Sequence, residues 1–145
     1  MKSFSVAAIF ILIFACFLVK AAVPYQRQVK NSKWALDRIN ALPEVKAFMR
    51  YAKRDKQMLM LARAPDSTFK YYLVKLGISN FNIFRTTTDY YIDPKTNRIY
   101  VDDPMNIGDH YPNLVTWQQM RRWGKTKGWA KPHFFKNGQL IVAEK

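Results

Sequence analysis

From Gln57 to Asp102 the apolar residues recur with a period of two, in segments rich in Val, Ile, Thr, Tyr and Phe that short turn-forming clusters separate. A period of two places alternate side chains on opposite faces of a strand, and no helix can present such a pattern as one apolar stripe. Gln57 to Arg63 reads as a first strand, Pro65-Asp66-Ser67 as a turn, and Thr68 to Leu76 as a second strand ended by Gly77. Phe81 to Ile92 reads as a third. Its partner is Arg98 to Asp102, across Asp93-Pro94-Lys95-Thr96-Asn97, where Asn97 suits the left-handed conformation that a tight turn needs. Consecutive strands joined by short turns predict an antiparallel meander, and Tyr71, Tyr72, Tyr90, Tyr91 and Tyr100 should alternate across it.

Helical signals flank this stretch. Asn31 or Ser32 can cap a helix through Trp34, Leu36 and Ile39. Pro43 and Glu44 suit the first turn of another, in which Val45, Phe48, Met49 and Ala52 form one apolar stripe that would cover a face of the sheet. Pro104 to Pro112 reads as a polar loop. A further helix, capped by Asn113 or Thr116, would direct Leu114, Trp117 and Met120 inward, and Asn137-Gly138 between apolar runs predicts a C-terminal hairpin. The fold class is α+β: N-terminal helices packed on an antiparallel meander, with a further helix and a hairpin after it.

Residues 3 to 19 are uncharged and apolar, Lys2 precedes them, and Val19-Lys20-Ala21 offers a cleavage site. This is the pattern of a secretory signal peptide over 1–21, leaving a single domain over 22–145 that is secreted or periplasmic. Two other fates are open to the same block: retention as a membrane anchor, or cleavage before Cys16, which would then carry a lipid. Cys16 is the sole cysteine, so a domain that loses the leader has no disulfide and depends on packing. The 10 Phe, 8 Tyr and 4 Trp make such a core feasible.

The formal charge of +14 falls by two, to +12, if Lys2 and Lys20 leave with the leader. That excess speaks of partners more than of fold. Its placement is uneven: Arg27 to Lys75 holds 12 basic and 4 acidic residues, Asp89 to Asp109 holds 2 and 5, and Arg121 to Lys136 holds 6 and none. In the last stretch Arg121, Arg122, Lys125, Lys127 and Lys131 are interleaved with Trp123 and Trp129, which pairs charge for phosphates or carboxylates with flat rings for stacking. Lys46, Arg50, Lys53 and Arg54 form a second basic face, on the helix that begins at Pro43.

Catalytic signals are sparse. The histidines are His110 and His133, and Ser32, Ser67 and Ser79 sit in caps and turns without a nucleophile elbow. Paired carboxylates could serve a hydrolase, but they are assembled by a fold and not by spacing. Asp102, Asp103, Asp109 and His110 are metal-ligand types without calcium-loop spacing, and Pro104 interrupts them, so the expectation is a solvated loop with no metal or cofactor.

Tyr90 to Tyr100, with Asp93 closing one strand, Lys95-Thr96-Asn97 at the corner and Ile99 on the return, resembles the terminal hairpin of PepSY-type domains. Tyr71 to Lys75 stands where such a domain has its preceding strand, and Trp117 lies in a following helix much as in small exported bacterial proteins. The resemblance covers about residues 43 to 102 and departs from the family at Asn97, where glycine is usual. It implies a helix on an antiparallel sheet in the cystatin-like style and a non-catalytic role, as a peptidase-directed inhibitor or envelope accessory factor. Composition alone supports a different role, a basic protein binding an anionic polymer such as nucleic acid, lipopolysaccharide or wall polymer. The expected partner is accordingly a protein or an anionic polymer at the cell envelope.

Overall fold

The computed structural model describes residues 30–51, 56–80, 83–108 and 112–144. The leader, Cys16, Ala52, Lys53, Arg54, Asp109 and His110 lie outside the described residues. Helix α1 (Ser32–Asn40) is capped by the Asn31 side chain, which accepts from the Trp34 N–H at 2.9 Å. Helix α2 (Pro43–Tyr51) follows after two residues. Strands β1 (Lys56–Arg63), β2 (Tyr72–Asn80), β3 (Ile83–Ile92), β4 (Ile99–Asp102) and β5 (Leu114–Thr116) then form one antiparallel sheet in sequence order. Helix α3 (Trp117–Trp123) leaves directly from β5, and β6 (His133–Lys136) and β7 (Gln139–Val142) form the hairpin. The α+β class and the meander are both present.

All three helices contribute to the core on one face of the sheet. Trp34, Ala35 and Ile39 of α1, Leu42, and Val45 of α2 pack with Tyr72, Val74, Leu76, Tyr90, Ile92, Val101 and Val115, and Trp123 of α3 joins the same cluster. Val45 alone is fully buried on α2, so α1 supplies more of the cover than the cleaner stripe on α2 suggests. The tyrosines divide as strand alternation requires: Tyr72 and Tyr90 enter the core, while Tyr71, Tyr91 and Tyr100 meet edge to face on the opposite side, with Phe69 against Tyr71 and Tyr91.

Several boundaries differ from the sequence reading, and β2 begins at Tyr72, not at Thr68. Gly77 does not end β2; the strand runs through it to Asn80, and the register with β3 shifts between Leu76 and Gly77. A Cβ at Gly77 would stand 2.2 Å from the Arg85 carbonyl oxygen, so glycine is there to let two backbones approach at a bulge. Leu114 belongs to β5 and pairs with Asp102, because Thr116, not Asn113, caps α3. At Thr116 the side chain accepts from the Gln119 N–H and the Gln119 side chain returns to the Thr116 N–H, a reciprocal cap that fixes where the helix starts.

The β3–β4 turn closes as predicted, with Asn97 at φ 60°. Partial burial alone would push the Asp93 carboxyl up. The Lys95 N–H at 2.7 Å, together with the hydroxyl and N–H of Thr96, outweighs burial and holds it below the usual carboxylate range. A depressed folded-state pKa contributes stability that is complete above the unfolded value, about 3.9, and is lost as the pH falls through the folded value. Asp93→Asn should therefore be less stable than the parent near neutrality, with the difference closing on acidification to about pH 2. Urea midpoints of both proteins at the two pH values check this. A difference independent of pH would show that the carboxylate charge contributes nothing.

Candidate functional site: a basic groove beside α3

Helix α3 is short, and its two sides have opposite characters. Trp123 turns inward, 8% exposed, with its ring stacked on Phe135 at 3.4 Å between centroids and 10° between planes. Gln118, Arg121 and Arg122 face solvent. The two arginines occupy the last turn, where the negative end of the helix dipole favours them. Of the residues expected to bind anions, Trp123 is thus corrected to a core residue whose faces are covered. Trp129 is 38% exposed and keeps a face open.

Arg121, Arg122 and Lys125 line a shallow cleft of about 500 Å³ together with Trp117 and Gln118. The Arg121 guanidinium lies 5.0 Å from the centroid of the Trp117 ring, and the Trp117 indole N–H donates to Glu44 of α2. Trp117, Gln118 and Arg122 also line a larger groove of about 880 Å³, which runs past Arg38 of α1 and Arg98, the residue before β4. The two hollows therefore meet along Trp117 and Arg122. Arg38 donates to the Asn97 carbonyl at 2.8 Å, which ties α1 to the β3–β4 turn at the groove wall. Asp37 is the acidic residue of this groove and is already paired with Lys33 at 2.6 Å. Among the described residues Arg38, Arg98, Arg121, Arg122 and Lys125 make no salt bridge.

The remaining basic residues are placed differently. Lys127 and Lys131 are exposed and line neither hollow. Lys46 and Arg50 are exposed on α2, away from both linings. Arg38 and Arg98, which the sequence reading did not single out, belong to the groove. Nothing local marks them, since the sheet brings them to residue 122 from separations of more than twenty positions.

A second arrangement, also invisible in the sequence, lies beneath the helix. Asp103 and His133 are 0% and 1% exposed, and Nε2 of His133 is 2.7 Å from Oδ2 of Asp103. Nδ1 lies 2.6 Å from the Lys131 carbonyl oxygen, which can only accept, so Nδ1 carries a hydrogen. The Asp103–Nε2 contact is then bridged by one further proton. Oδ1 of Asp103 accepts from the Met105 N–H at 3.1 Å. Asp103 is thus neither a solvated loop residue nor a free metal ligand: it fastens the hairpin to the end of β4. The backbone bonds His133 N–H to Met105 and Ile107 N–H to His133 run alongside. Among the described residues no group of three or more His, Cys, Asp or Glu is placed to hold a metal.

Burial pushes the Tyr90 phenol well above its ordinary value, with the Glu44 charge adding to it. Desolvation also raises the Asp102 carboxyl, and the Asp89 and Asp103 carboxylates reinforce that shift against the Asn113 backbone N–H. Asp89, Asp102 and Asp103 thus form a small acidic group on β3 and at the end of β4. No helix of the described residues is long and apolar enough to cross a membrane. Compared with protein-family models, curated proteins and solved structures, the chain matches none of them.

Proposed function

We propose that this is an exported, non-enzymatic protein, secreted or periplasmic, that binds an anionic polymer along the groove from Arg38 and Arg98 past Arg122 to Arg121 and Lys125. The observation that supports this reading is five cations around two adjoining hollows, none of them in a salt bridge among the described residues. A chain of phosphates or carboxylates would engage several at once and release their counterions, so binding should weaken steeply with salt. The alternative, a peptidase-directed or accessory role in the PepSY-like manner, has in its support the edge of β1, which is unpaired among the described residues and to which an extended segment of a partner could add.

Binding of a single-stranded polyphosphate to the processed protein, followed over a salt series, tests the groove. Arg122→Gln with Lys125→Gln should lower affinity about tenfold or more at low salt, since each cation near an anionic surface is worth about 1 kcal/mol. The salt slope should also fall by about one for each phosphate that the variant no longer neutralises. Lys46→Gln with Arg50→Gln, on α2, should change both far less. Equal losses in the two double variants would mean that overall charge, and not the groove, carries binding.

A further inference from the structure

Helix α3 separates the basic cleft from a hollow of another kind. Beside it lies a cleft of about 690 Å³ whose apolar lining includes Pro43, Tyr90, Val101, Met120 and Trp129, with threonines and carboxyl residues at other points of the wall. Its size falls within the roughly 300–1,000 Å³ typical of small-molecule sites. Trp117 and Arg121 line this cleft and the basic one alike, so the two adjoin across a single indole and a single guanidinium. One end is therefore apolar and aromatic, and the other presents Arg121, Arg122 and Lys125.

Three carboxyl residues also border the apolar cleft, and their arrangement sets its polarity. Glu44 accepts from the Trp117 indole N–H, which holds that ring upright between the two hollows. Asp89 pairs with Lys75 at 3.5 Å, its partner in the β2–β3 register, and Asp102 follows the inward-facing Val101, so alternation turns both toward the other face of the sheet. Two of the three carboxylates thus lie on the sheet side, Glu44 is engaged by Trp117, and the positive charge lies on α3. An anionic group would be repelled from the sheet side and drawn to α3.

We propose that these adjoining hollows form one site for an anionic amphiphile, with an acyl chain in the Met120–Trp129 cleft and a phosphate or carboxylate head on Arg121, Arg122 and Lys125. The head contacts rest on the groove reading above; the tail contacts do not. Trp117 and Trp129 supply the flat, amphipathic walls that suit a boundary between chain and head. Exposed arginines alone hold a small anion weakly. An acyl chain would supply the rest, because each buried methylene is worth about fourfold in affinity.

Titration calorimetry on the processed protein, with probes below their micelle concentrations, tests this. Decyl phosphate should bind at least about 100-fold more tightly than inorganic phosphate, after the cost of ordering the chain, and at least about tenfold more tightly than decyl maltoside. Trp129→Ala should weaken decyl phosphate about tenfold while leaving polyphosphate binding unchanged. Arg122→Gln with Lys125→Gln should weaken both. If decyl phosphate binds no better than inorganic phosphate while polyphosphate binding persists, the amphiphile site is wrong and the groove stands. If neither anionic probe binds, both readings fall. Equal binding of decyl phosphate and decyl maltoside would reduce the site to an apolar cleft. Binding to phosphatidylglycerol vesicles without binding to the free amphiphile would make this face a membrane-docking surface, and would overturn the proposal as well.

Discussion

Asp103→Ala is expected to lower the unfolding free energy by about 3–5 kcal/mol, the cost of removing one member of a buried, hydrogen-bonded pair. The residue left behind explains the size. His133 is held by the Lys131 carbonyl at Nδ1 and by Asp103 at Nε2, in a place without solvent. Without Asp103, Nε2 has no partner, and the Met105 N–H loses its acceptor too. His133→Ala should cost a similar amount, because it leaves a carboxylate buried and unpaired. An apolar pair, Asp103→Leu with His133→Phe, should be less destabilised than either single change, short of full recovery by the roughly 1–3 kcal/mol of the orphaned Met105 N–H. Urea denaturation of the four proteins checks this: a double variant at least as destabilised as the single ones would mean that the cost of the single changes does not come from an unpaired buried group.

Trp123→Ala is expected to cost about 3–5 kcal/mol, while Trp129→Ala stays within about 1 kcal/mol. Six positions apart in one basic stretch, the two tryptophans look alike in the sequence. The fold stacks Trp123 on Phe135 within the core cluster and leaves Trp129 at a cleft wall. Truncating the Trp123 ring uncouples α3 from the hairpin, so amide exchange in β6 and β7 should accelerate more than in β2 and β3. If the melting temperatures of the two variants fall equally, the assignment of Trp123 to the core is wrong.

The contrast shows what a single sequence conveys. The meander, the Asn97 turn and the Asn137-Gly138 hairpin rest on local signals, namely alternation and residues that tolerate positive φ, and all three are present. Gly77 misleads because glycine serves both as a terminator and as a site of close backbone approach, and only the position of Arg85 distinguishes the two. Leu114 misleads because a three-residue strand carries no period of its own. At the site, the Arg121–Arg122–Lys125 cluster is readable as contiguous charge. Its continuation to Arg38 and Arg98 depends on sheet packing, as does the meeting of Asp103 with a histidine thirty residues away.

The order of the sheet has a bearing on how the protein behaves in crowded solution. Among the described residues β1 and β5 each have one unpaired side, and an unpaired strand is a template on which another copy can grow. β5 offers three residues before the chain turns into α3, too few to propagate a ladder. β1 is longer, and its stretch from Gln57 to Ala62 is uncharged and apolar enough to stack against itself. Lys56 and Arg63 stand at its two ends, and the register breaks between Leu61 and Arg63. Charge at each end and a kink near one of them act as gatekeepers: a second copy approaching in register meets like charges before it can zip.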